Sequence, residues 1–72
     1  MEVYEHETKE VIKRFLERRL SFAECISALD AALAGLIPTL TGEEIPGLHI
    51  VMLANNEIVM KEMERRELSR DG

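Results

Sequence analysis

The chain has 72 residues, of which 46% are hydrophobic and one is cysteine, and its 14 acidic and 9 basic residues leave a formal net charge of −5 at pH 7. That leaves room for one small domain and for no intrachain disulfide, a pattern of reducing compartments. It also argues against non-specific nucleic-acid binding, which needs lysine and arginine clustered against phosphates.

In a chain this short, apolar burial and the entropy of ordering nearly cancel, so a staple is expected. Disulfides are excluded and metal-ligand spacing is absent, which leaves association. The start, Met1-Glu2-Val3-Tyr4-Glu5, has no apolar signal-peptide region. The longest unbroken apolar run, Ile50 to Ala54, is far shorter than a membrane span. A cytoplasmic protein with no membrane partner is expected.

A first helix is expected from Val3 to Leu20, with Tyr4, Thr8, Val11, Ile12, Phe15 and Leu16 on its apolar face. Glu5 with Lys9, Glu10 with Arg14 and Lys13 with Glu17 are spaced for exposed ion pairs across one turn. Ser21-Phe22-Ala23-Glu24 has the capping-box pattern and starts a second helix. The join is short, so the two helices should form an antiparallel hairpin.

The second helix runs from Phe22 to about Ile37. It carries only two charges, Glu24 and Asp30, and should therefore be largely enclosed. Cys25, Ile26, Leu29, Leu33, Leu36 and Ile37 gather on one side; Ala28, Ala31, Ala34 and Gly35 populate the other. Pro38 ends it. Thr41 and Glu44 repeat the capping-box spacing, and the third helix begins at Gly42 or after Pro46.

The third helix organises the rest. Leu48, Met52, Asn55 and Val59 recur at steps of four, three and four, with Val51, Ile58 and Met63 widening the stripe. His49, Leu53, Asn56, Met60 and Met63 repeat that rhythm alongside. The helix is thus apolar over roughly 200° of its circumference, about twice what a surface helix needs. Two companions in the same chain cannot cover both stripes. The second stripe is read as the interface of a homodimer, and Asn55 and Asn56, one on each stripe at the same height, as polar residues that fix register, Asn55 lying nearer the centre. Past Met63, charge lies on every side, so the helix should project or fray, with 69–72 a disordered tail beyond a single domain of residues 1–68.

Chemistry is weakly signalled. His6 has Glu2 and Glu10 four residues to either side, which could offer a cation one nitrogen and two carboxylates. The Glu-x-x-His step of di-iron bundles is missing: Val3 stands three before His6 and Pro46 three before His49. A solvated helix face is the simpler reading of His6. His49 on the second stripe could make association sensitive to pH. Cys25 lies among core positions and reads as a small hydrophobe. Tyr4, Phe15 and Phe22 also fall on core positions and offer no stacking platform. Met52, Met60 and Met63 suit a core, a dimer interface or an adaptable groove. The glycines match no nucleotide-binding or nucleophile-elbow pattern.

The expected fold is all-α: a helix hairpin and a longer C-terminal helix, completed by a second copy into a symmetric six-helix bundle. The expected function is a small non-catalytic cytosolic interaction module, a homodimeric adaptor or regulatory subunit without a cofactor. Its partners would be itself and, as an adaptor, another protein. The alternative is a small ligand- or metal-binding bundle using His6 or His49 and the methionines.

Overall fold

A computed structural model describes residues 1–70 and is all-α. Three helices, α1 (Glu2–Leu16), α2 (Phe22–Leu36) and α3 (Ile45–Arg70), are joined by the turn at residues 17–21 and by single 3₁₀ turns at Ile37–Thr39 and Gly42–Glu44. Two core clusters fix their directions. Tyr4, Leu36 and Leu48 pack at one end; Ile12, Phe15, Cys25 and Val59 pack at the other. α1 and α3 therefore run parallel, with α2 antiparallel to both. The amino group of Met1 lies 3.8 Å from the Glu44 carboxylate, which places the starts of α1 and α3 side by side.

α1 stops at Leu16, four residues short of the expected Leu20. Arg18 takes a left-handed backbone, φ 63°. Its N–H donates to the Phe15 carbonyl at 3.1 Å, while the Arg19 N–H donates to the Arg14 carbonyl at 2.9 Å. These are the two bonds of a Schellman turn, with arginine where glycine usually stands. No glycine or asparagine marks the site in the sequence, which is why the helix reads as longer than it is. The early stop leaves Glu17 outside the helix, and none of the three expected pairs along α1 closes to 4.0 Å.

The expected start of α2 is present. The Ser21 N–H donates to Glu24 Oε1 at 2.9 Å, and the Glu24 N–H donates to Ser21 Oγ at 3.1 Å. These bonds from Ser21 hold the Glu24 carboxyl below its ordinary range. At the second site only half of the box forms. The Thr41 N–H and hydroxyl both donate to Glu44 Oε1, at 3.1 and 3.0 Å, while the Glu44 N–H goes to the Thr41 carbonyl instead.

α2 is not enclosed by its own chain. Only Cys25 and Leu36 along it are buried, and its alanine-rich outer face is open. Phe22 and Ile37, expected in the core, are exposed: Phe22 borders an open cleft shared with Met63 and Arg66, and Ile37 begins the turn that follows α2. By length and composition Phe22–Thr39 is apolar enough to cross a membrane, a property that the unbroken-run criterion misses because Glu24, Ser27, Asp30 and Gly35 interrupt the apolar residues.

α3 keeps its helix well past Met63, to Arg70. Ser69 and Arg70, expected in the tail, continue it; Asp71 and Gly72 lie outside the described residues. Two contacts hold this charged stretch. Glu62 accepts from both Arg65 and Arg66, and Arg66 reaches across to the end of α1.

Candidate interaction surface

The two stripes of α3 part company in the structure. Leu48 and Val59 are buried, and Val51, Met52 and Met63 are half-buried against α1 and α2. His49, Leu53, Asn56 and Met60 face outward together, with Leu53 at 55% and Met60 at 60% exposure. Of the five residues expected at an interface, only Met63 turns partly inward, as the edge between the two stripes. Ile45, four residues before His49, extends the open stripe at 55% exposure, and Ile50 flanks it at 67%. Carrying the four-residue step back one turn would have found Ile45.

A furrow runs beside this stripe. No Cα atom of α2 lies within 8 Å of one in α3 among the described residues, so these helices meet through side chains alone. Asp30 and Leu33 of α2 face Asn55 and Asn56 of α3 across the gap. Further along, Arg18 and Phe22 face Met63, Arg66 and Arg70 across an open cleft.

The two asparagines differ in setting. Asn55 is directed into its own fold, and its Nδ2, though shielded from solvent, has no hydrogen-bond partner among the described residues. Asn56 lies on the open stripe.

The remaining candidates lie apart from this surface. His6 is exposed on α1, and no group of three or more His, Cys, Asp or Glu side chains among the described residues could hold a metal. Cys25 is fully buried and burial pushes its thiol up, away from the thiolate that nucleophilic chemistry requires. Glu62 is the most perturbed acid. Hydrogen bonds from Arg65, then from Arg66, hold its carboxyl down at about 2, a structural network at the end of α3.

Set against models of known protein families, characterised proteins and solved structures, the chain matches none. The functional reading therefore rests on the surface itself.

Surface area gives that reading a scale. The chain exposes 5370 Å², whereas a compact protein of 8.2 kDa exposes about 4,500 Å². The excess, about 900 Å², is of the order that one partner contributes to a standard protein–protein interface. Shape agrees: the radius of gyration is 13.4 Å, against about 11 Å for a compact domain of this length.

Proposed function

We propose that the protein is a non-catalytic interaction module that works as a homodimer, with the open stripe of α3 as its interface. The observation that carries this reading is the row formed by Ile45, His49, Leu53, Asn56 and Met60, an apolar strip whose only polar members are one histidine and one asparagine. Contiguous apolar surface of this kind marks an interaction site in a soluble protein. Its heptad-like spacing fits another helix better than a small ligand. A cytosolic adaptor or regulatory subunit is the role such a module supports.

The apolar character of Phe22–Thr39 favours a second reading, a membrane-associated helix. Against it, Cys25 and Leu36 are committed to cores shared with α1 and α3, and Glu24 and Asp30 divide the segment. Light scattering at micromolar concentration tests the first reading, with about 16 kDa expected, twice the 8.2 kDa of one chain. A folded 8 kDa monomer would refute it. Co-flotation with neutral lipid vesicles, absent from a dimer in solution, would favour the second.

A further inference from the structure

Charge is segregated along the long axis of the molecule. At the end where α1 and α3 begin lie Glu2, Glu5, Glu7, Glu43 and Glu44, with no lysine or arginine, a formal charge of −5 on side chains. The opposite end gathers Lys13, Arg14, Arg18, Arg19, Lys61, Arg65, Arg66 and Arg70 against Glu17, Glu24, Glu62, Glu64 and Glu67, a formal charge of +3. Lys9, Glu10, Asp30 and Glu57 lie between. A rod 47 Å long therefore has an acidic end and a basic end, although the chain as a whole is acidic.

We propose that the second copy lies antiparallel along the open stripe, its α3 over the furrow between α2 and α3, so that the acidic start of each copy meets the basic end of the other. This rests on the homodimer reading above and adds its direction. Four features point the same way. A parallel pair would set five carboxylates against the same five and Glu67 against its own copy on the stripe, whereas an antiparallel pair joins opposite charges at both ends.

The stripe also suits reversal. It is apolar from Ile45 to Met60 and passes into Glu64 and Glu67 beyond Met63. A twofold axis near residues 54–56 keeps the apolar parts together and leaves each Glu67 beyond the partner's apolar stretch. That axis also brings the two Asn56 amides close, where each can donate to the other. The third feature is the cleft beside Phe22 and Met63, where Arg18, Arg66 and Arg70 outweigh the single carboxylate of Glu67. With the axis so placed, Glu43 of the partner subunit falls alongside it. Helix dipoles oppose in the same arrangement.

Direction can be read from one distance. A spin label at Glu67→Cys, in a Cys25→Ala background, should report a separation of roughly 35–40 Å in an antiparallel dimer, from the 1.5 Å rise per residue on either side of the axis. A parallel dimer would place the labels within about 20 Å, given helix axes 8–10 Å apart. The short distance in a protein of dimeric mass would overturn the direction and leave the homodimer intact. A monomeric mass would overturn both, and a larger assembly with several distances would overturn the direction.

A charge swap in the chain that keeps Cys25 gives an independent answer. Glu43→Arg and Arg70→Glu should each weaken the dimer about two- to fivefold, as exposed pairs do, and together they should restore it. Glu43 lies in the turn before α3 and Arg70 at the far end of that helix, so rescue can act only between copies. Additive weakening in the double variant would overturn the proposal.

Discussion

The guanidinium of Arg66 lies over the ring of Phe15, 4.5 Å from its centroid, while its Nη2 donates to the Phe15 carbonyl at 2.8 Å. One side chain thus closes a helix end, covers a core aromatic and, through Nε at 2.7 Å, engages Glu62. The carbonyl already accepts from the Arg18 N–H in the turn that ends α1, and Arg66 adds a second, charged donor to it. Arg66→Met should lose about 1–3 kcal/mol of stability in urea unfolding, from a charge-assisted hydrogen bond and a cation–π contact. Arg66→Lys should recover little, because a lysine cannot reproduce the fork. Full stability in the lysine variant would count against this account.

Acid should weaken the same region. The Glu62 carboxyl titrates at about 2 in the folded chain, below the ordinary value of about 4.3 for an unfolded glutamate. A depressed folded value contributes stability above the unfolded value, and that contribution is lost as pH falls through the folded one. Wild type should therefore lose stability from about pH 5 toward 2 more steeply than Glu62→Gln. Parallel acid limbs in thermal melts would remove Glu62 from the explanation.

Arg18 holds a left-handed backbone that costs an L-residue about 1–2 kcal/mol and glycine nearly nothing. Its side chain is exposed. Arg18→Gly should raise stability by about 1 kcal/mol in denaturant unfolding, after the greater entropy of glycine in the unfolded chain is set against the relief. A loss would mean that Arg18 does more at the helix end than turn the chain.

Asn55 offers a second gain. A shielded donor without a partner is a cost of about 1–3 kcal/mol, so Asn55→Leu should melt higher. Because Asn55 faces its own fold, the mass in solution should not change with it. A shift in mass would support the register role expected from its place on the first stripe.

The open stripe can be switched off. Leu53→Asp with Met60→Glu should give about half the wild-type mass by light scattering with helical circular dichroism retained. Loss of helicity together with mass would make the stripe part of the fold.

Local cap chemistry made Ser21 and Glu24 legible, since every participant lies within four residues. The core face of α1 was legible for the same reason: Tyr4, Thr8, Ile12 and Phe15 repeat at helical steps and are all buried. Arg18 was not, because a left-handed residue is read from glycine or asparagine and the turn here has neither. The reach of α3 was missed because Glu64 to Arg70 has no apolar periodicity; its order comes from Glu62 and from a carbonyl 51 residues away. The stripe of α3 was visible as excess apolar perimeter. The basic end could not be seen in one dimension, as Arg14, Arg18 and Arg19 meet Arg65, Arg66 and Arg70 only once α3 runs parallel to α1.

That parallel course also orders folding in time. The α1–α2 hairpin closes across a turn of five residues, while contact between α1 and α3 encloses the whole of α2 and both of its flanking turns. Loop closure grows costlier with the length of chain enclosed, so the hairpin is expected to form first and α3 to dock last, with Arg66 against Phe15.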